Sequence, residues 1–220
     1  MHLRLGLLLG VAAALVSPST RAAAQGWIDY ISPEDRFSVN FPGQPMVDAI
    51  AWPGEYGPTF QGRVYAVEAG GARYSVTVID YSTTRMLHAR TQKNQADELP
   101  IYADLDAVGS IQYAATKLYR QRPGARVTYD AYHYIDLVSG HQLQLTNADG
   151  SRTFVGIYLH EARLYILDAT VPPKAPQPGL FQQSLSFLDE KGERVRHNEL
   201  YYYRPPPRPG RRDGGAGPGQ

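Results

Sequence analysis

Residues 126–171 read RVTYDAYHYIDLVSGHQLQLTNADGSRTFVGIYLHEARLYILDATV, a stretch rich in β-branched, aromatic and alternating apolar residues. We predict four strands in it, at 126–137, 141–146, 152–160 and 164–171. The connections, among them Ser139-Gly140 and Glu161-Ala162, are far shorter than the dozen or more residues that a parallel crossover needs. The stretch therefore predicts a four-stranded antiparallel meander.

More strands are predicted on the N-terminal side of the meander. Residues 60–67 and 74–81 are two β-rich runs joined across Gly70-Gly71, which is typical of a hairpin. Residues 36–41 alternate apolar and polar side chains before Pro42 ends the run.

One helix is predicted at 104–119, because apolar residues recur there with the helical period. These residues are Leu105, Val108, Ile111, Ala115 and Leu118. Asp104 is expected to cap the first turn, and Pro123-Gly124 ends the helix.

Two further helices and a last segment complete the predicted domain. A thinner apolar stripe predicts a helix at 84–98, and residues 180–188 predict a short one. Residues 193–203 either add a strand or pack aromatic side chains. The order of strands, helix, meander and helix predicts an α+β class, with a curved antiparallel sheet and packed helices in one domain at 25–203.

The N-terminal segment, residues 1–24, has the pattern of a secretory signal peptide. Arg4 precedes a short apolar run, and Ala22-Ala23-Ala24 offers a cleavage site after Ala24. The run is too short to cross a membrane, and no later stretch is apolar enough to be a transmembrane segment. Because the chain has no cysteine, we expect export to a periplasm, with secretion as the other route.

The C-terminal segment, residues 204–220, is rich in proline, glycine and arginine and is predicted to be a disordered tail. Its basic residues include Arg208, Arg211 and Arg212, which we consider as partner-binding residues. A basic tail on an acidic body is able to make weak contact with an anionic surface. The alternative is a solvated tail without a partner.

Composition and motifs exclude several function classes. The formal charge of +1 is too small to indicate nucleic-acid binding. The absence of cysteine excludes a disulfide framework, a thiolate metal site and a cysteine nucleophile. There is no G-x-S-x-G elbow, P-loop, G-x-G-x-x-G or H-E-x-x-H motif. We therefore predict no enzymatic activity and no cofactor.

Histidines and tyrosines of the meander are the candidate site residues. His133, His141 and His160 would suit a metal if the sheet brought them together. Tyrosine is abundant, with 16 residues against 6 phenylalanines, and Tyr132 and Tyr134 are candidates for partner binding. The alternatives are ordinary sheet residues, since tyrosine is a good strand former.

One motif has the form F-x-V-x-F-P-x-x-P, a pattern of opening strands. It is Phe37-Ser38-Val39-Asn40-Phe41-Pro42-Gly43-Gln44-Pro45, or FSVNFPGQP. With the element order that follows, the chain resembles the PsbP/Mog1-like fold group, including small exported bacterial proteins with PsbP-like domains. The resemblance implies an αβα sandwich and a non-enzymatic accessory, assembly or binding role. It transfers no site residue to this chain.

The leading hypothesis is a periplasmic, non-catalytic binding or accessory module for an unknown envelope protein or small ligand. One alternative is a carrier of a small ligand or lipid, with a pocket between the helix at 104–119 and the sheet. Another is an envelope hydrolase that uses carboxylates. Candidates for its acid/base pair are Asp80, Asp97, Glu98, Asp104 and Asp106.

Overall fold

The computed structural model describes residues 26–91 and 101–207. The predicted signal peptide and most of the predicted tail lie outside these residues. The strands are β1 Ile28–Ser32, β2 Phe37–Phe41, β3 Met46–Pro53, β4 Thr59–Ala69, β5 Ala72–Asp80, β6 Arg126–Ile135, β7 Val138–Thr146, β8 Arg152–His160, β9 Arg163–Val171 and β10 Ser186–Phe187. The helices are α1 Thr84–Thr91, α2 Ile101–Val108, α3 Ser110–Ala114 with a π-helical continuation Ala115–Arg120, and α4 Gly179–Gln182.

The predicted meander is confirmed as β6, β7, β8 and β9, each antiparallel to its neighbour. It belongs to a seven-stranded sheet in the order β3-β4-β5-β9-β8-β7-β6. The predicted hairpin across Gly70-Gly71 is also confirmed, as β4 and β5. Both glycines have a positive φ, as a two-residue turn that matches the strand twist requires.

The predicted turn at Ser139-Gly140 is wrong, because the chain turns earlier. Asp136 and Leu137 form the turn, both with positive φ, and β7 already begins at Val138. Gly140 lies inside β7 for a packing reason. A Cβ atom built on it would lie 2.2 Å from Cδ1 of Tyr158 and 2.4 Å from the carbonyl oxygen of Ile157.

We expect Gly140→Ala to lower the free energy of unfolding by about 3 kcal/mol, since the methyl group has no room without moving a backbone carbonyl. Chemical denaturation measures the change. The matched control is Gly26→Ala, because a Cβ atom there meets nothing within 4 Å. A Gly140→Ala protein as stable as the control would contradict this account of the packing.

The predicted helix at 180–188 is only partly correct. The helix α4 ends at Gln182, and Ser186 and Phe187 then pair with β2 as strand β10. Leu185 and Phe187 are both buried, and an extended chain places such alternate residues on one face. With β1 and β2, this short strand forms a second sheet in the order β1-β2-β10, which sequence analysis did not predict.

The predicted helix at 104–119 is longer and less regular than expected. The described helix already includes Ile101, so Asp104 lies within α2 and is not its capping residue. Gly109 separates α2 from α3, and the last turn is π-helical. Among the predicted stripe residues Ala115 is fully buried, whereas Val108 is exposed. The helix side chains that are buried against the sheet are Ala107, Ala114, Ala115 and Tyr119, with Ile111 and Leu118 partly buried beside them.

The predicted helix at 84–98 is observed over Thr84–Thr91, and its remaining residues lie outside the described part of the chain. Residues 193–203 form isolated bridges rather than a full strand: Leu188 pairs with Arg194 and Val138 with Tyr201. Tyr201 also packs on His160, so the aromatic alternative describes this segment better.

Two clusters of buried side chains lie on the two faces of the large sheet. On one face, Ala107, Ala114 and Tyr119 of the helices pack on Phe60 and Leu164. On the other face, the small sheet and α4 cover residues of β4, β5, β8 and β9. The predicted α+β class, an antiparallel sheet with packed helices, is confirmed.

Candidate functional site

Strand β6 is an edge of the large sheet and carries three exposed tyrosines. Its register on β7 shifts between Val127 and Tyr129, where a bulge interrupts the pairing. Beyond the bulge the side chains alternate, so Tyr132 and Tyr134 share the face on which the helices lie. Tyr129 lies on the opposite face. Tyr132 is 78% exposed, the most exposed of the three.

A charged network lies directly beside these tyrosines. Arg120, the last residue of the π-helical turn, donates from Nε to Oδ2 of Asp130 at 2.7 Å and from Nη2 to Oδ1 at 2.9 Å. Such two-pronged pairing fixes both side chains in one geometry. The hydrogen bonds from Arg120, with a smaller contribution from His141, lower the pKa of Asp130 to about 2.

The hydrogen bonds around His141 define which of its nitrogens carries the proton. Asp130 is an ionised acceptor, so Nε2 of His141, which contacts Oδ1 of Asp130, acts as the donor. Nδ1 then accepts from Nε2 of Gln112 at 3.4 Å. Oε1 of Gln112 in turn accepts from Nη1 of Arg120 at 2.9 Å. Nη2 of Arg120 also lies 3.1 Å from Nε2 of His141, and because both atoms are donors, this contact brings two donors together at Oδ1 of Asp130 and is not itself a hydrogen bond.

The network supports the aromatic surface above it. The ring of Tyr132 meets that of His141 edge-to-face, with centroids 5.6 Å apart. The hydroxyls of Tyr134 and Tyr202 lie 3.2 Å apart. We define the β6 surface as Tyr132, Tyr134 and Tyr202 with Asp130 and Arg120 beside them. Rigid rings with polar tips next to a fixed ion pair are suited to contact with another protein.

The sheet does not bring together the three histidines considered as metal ligands. His133 lies opposite Gly140, so His141, the next residue along β7, faces the other side of the sheet. His133 Nδ1 lies 2.8 Å from the hydroxyl of Tyr158, and burial lowers its pKa. Within the described residues, no three His, Asp or Glu side chains are grouped as metal ligands.

His160 has a histidine partner that sequence analysis missed. Its Nε2 lies 3.1 Å from Nε2 of His197, in the segment that follows the small sheet. The ring stacks on Phe187 at a centroid distance of 4.4 Å, and Tyr201 covers both histidines. These contacts hold the C-terminal segment on the body of the domain.

The carboxylates considered for a hydrolase have separate partners. Asp106 is buried, accepts from the backbone N–H groups of Glu55 and Tyr56, and pairs with His88 at 2.6 Å. Asp104 accepts from Arg85. Asp80 accepts from the N–H group of Ser82. Asp97 and Glu98 lie outside the described residues.

The other predicted sites are placed as follows. Arg208, Arg211 and Arg212 lie outside the described residues, whereas Arg85 donates to the carbonyl oxygens of Pro206 and Pro207 at the start of the predicted tail. Where the carrier hypothesis places a pocket, Ala114 and Ala115 pack against the sheet. None of the described helices has the length and apolar character that a membrane span requires.

No protein-family model and no curated protein sequence matches the chain. Among solved structures, it is similar to cyanobacterial PsbP (CyanoP) from Synechocystis sp. PCC 6803. The two share 10% sequence identity over 78% of this chain and 98% of that one, with a TM-score of 0.44. That structure bears the name of the group that FSVNFPGQP and the order of elements indicated.

Proposed function

We propose that this chain is an exported, periplasmic, non-catalytic binding or accessory module that contacts a protein partner through the β6 surface. The observation that carries the proposal is the exposure of Tyr132 beside the Arg120–Asp130 ion pair. Large aromatic residues and arginine are the types enriched at the centres of protein interfaces.

The rigidity of the β6 surface supports the same function. Tyrosine orders few rotatable bonds on binding, and Arg120 is already immobilised by Asp130, Gln112 and Thr116. A partner that binds there therefore loses little free energy to the ordering of side chains. The polar tips of Tyr132 and Tyr134 allow the same surface to be hydrated when no partner is bound.

The test is site-specific photo-crosslinking in the native envelope, followed by affinity measurement with the purified partner. A crosslinker at position 132 should give a discrete adduct, and Tyr132→Ala should weaken binding about tenfold, the loss of one interface anchor. Tyr129→Ala is the matched control, because Tyr129 is an exposed tyrosine on the same strand and the opposite face. Equal adducts at 129 and 132, or unchanged affinity in Tyr132→Ala, would refute the proposal.

A further inference from the structure

Strand β3 forms the opposite edge of the large sheet from β6. Among the described strands it pairs with β4 alone, in an unbroken register from Met46 opposite Ala66 to Pro53 opposite Thr59. Most of its side chains are exposed although they are apolar, and Met46 reaches 74% exposure. An exposed apolar strand with free backbone groups is a template for pairing with another strand.

A bulge, one of the devices that protect edge strands, is present in β6 but not in β3. Strand β6 has a bulge and carries the charged Asp130 in mid-strand. Strand β3 has no register shift, and Asp48 is its single charged residue. Its one proline, Pro53, is the last residue and leaves the rest of the strand free to pair.

We infer that β3 pairs with β3 of a second copy of this chain, antiparallel and centred on Ala49. Two antiparallel copies of one strand are related by a two-fold axis normal to the sheet, and this axis leaves every side chain on its original face. Residues directly opposite each other in antiparallel strands point to the same face, so the central residue must lie opposite its own copy. With Ala49 at that position, seven residues of each strand are paired. Val47 then faces Ala51, and Met46 faces Trp52.

The charges and side-chain sizes select this register. Centring the pair on Asp48 places two carboxylates opposite each other, which is unfavourable. Centring it on Ile50 brings Pro53, which has no N–H group, into the pairing. Centring it on Ala49 sets Asp48 opposite Ile50 and a small residue against itself. The strand is thus complementary to its own copy, and this is why a second copy is the occupant rather than an unrelated peptide.

The pairing has a structural consequence for the dimer. Two seven-stranded sheets join into one continuous sheet, with the two β6 strands at its outer edges. The inference does not depend on the proposed function, since β3 and β6 are separated by the other five strands of the sheet.

The test uses single cysteines, which is clean because the natural chain has none. Residues directly opposite in an antiparallel pair have Cα atoms about 4.5–5.5 Å apart, within the range of a disulfide. Under mild oxidation, Ala49→Cys should give a disulfide-linked dimer. Ala51→Cys is the matched control, exposed on the same face but about 13 Å from its own copy along the strand, and it should stay unlinked.

Sedimentation of the unmodified protein gives the second readout. It should show a dimer at ~100 µM, and Ala49→Lys should convert it to a monomer with unchanged circular dichroism, because two ammonium groups then meet at the axis. A monomeric unmodified protein, including one whose β3 binds only an extended peptide of another protein, would overturn self-pairing. So would equal crosslinking of the Ala49→Cys and Ala51→Cys proteins, or a dimer that Ala49→Lys leaves intact.

Discussion

Replacing Asp35 with alanine should lower the free energy of unfolding by about 3 kcal/mol, because a buried carboxylate that accepts three short hydrogen bonds is lost. Asp35 is 5% exposed. Its carboxylate accepts from Nε and Nη2 of Arg63 at 2.7 and 2.6 Å and from the hydroxyl of Tyr65 at 2.6 Å. Alanine removes these three hydrogen bonds and leaves Arg63 with Glu34, and the Tyr65 hydroxyl with Ser32, as remaining partners. Urea denaturation at neutral pH measures the loss.

The large value is expected because Asp35 joins the two sheets. It lies in the turn between β1 and β2 of the small sheet, whereas Arg63 and Tyr65 belong to β4 of the large one. The hydroxyl of Tyr165 on β9 also donates to the carbonyl oxygen of Asp35, at 2.9 Å. Burial, and then the hydrogen bond to Asp35, raise the pKa of Tyr65, which keeps its hydroxyl protonated as a donor.

Glu34→Ala is the matched control, since Glu34 pairs with the same guanidinium. Its Oε1 lies 2.7 Å from Nη1 of Arg63, but its side chain is 70% exposed. Water competes for such a pair, so its loss should cost less than about 1 kcal/mol. Comparable losses in the two variants would show that charge alone, and not burial, determines the contribution of Asp35.

The sequence is most informative about the fold where local spacing decides the structure. Short connections allow only antiparallel neighbours, so the order of β6 to β9 follows from the chain itself. The pairing of β5 with β9 joins segments that are far apart in sequence, and no local pattern predicts it. The same holds for β10, where two residues become a strand because β2 is beside them.

Gly140 shows why the turn between β6 and β7 was predicted in the wrong place. A Ser-Gly pair is typical of a turn, but Gly140 lies inside a strand. It is needed there because the ring of Tyr158 on the neighbouring strand leaves no room for a Cβ atom. The turn residues are Asp136 and Leu137, which adopt positive φ without a glycine. The distinction depends on tertiary packing, which propensity alone does not contain.

The candidate site was predictable in part. Alternation along β6 correctly places Tyr132 and Tyr134 on one face and Tyr129 on the other. The roles of Arg120 and Gln112 were not predictable, because they depend on how the helix crosses the sheet to reach Asp130 and His141. The spacing of Gln112, Thr116 and Arg120 predicts that these three side chains lie on one helix face. It does not predict which strand that face contacts.

Lowering the pH from 6.5 towards 4.5 should destabilise the protein by up to about 1.4 kcal/mol per pH unit through His160 alone. This side chain is 1% exposed, and burial, with the charges of Arg163 and Arg36 and the neighbouring His197, lowers its pKa from 6.5 to about 3. As the pH falls below 6.5, His160 therefore binds a proton in the unfolded chain but stays neutral in the folded chain. Stability is complete above this value and is lost as the pH falls towards 3.

His160→Gln isolates this contribution, because glutamine does not titrate and is able to hydrogen-bond to His197. The quantity to compare is the difference in unfolding free energy between pH 7.5 and 4.5 in each protein, so that any cost of the substitution itself cancels. Carboxylates such as Asp130 contribute equally to both proteins and also cancel. The variant should show the smaller difference, and His133→Gln, in a less buried site, a smaller change of the same sign. Equal differences in the unmodified protein and His160→Gln would mean that His160 takes up its proton without unfolding, and that the segment carrying His197 moves aside to let it do so.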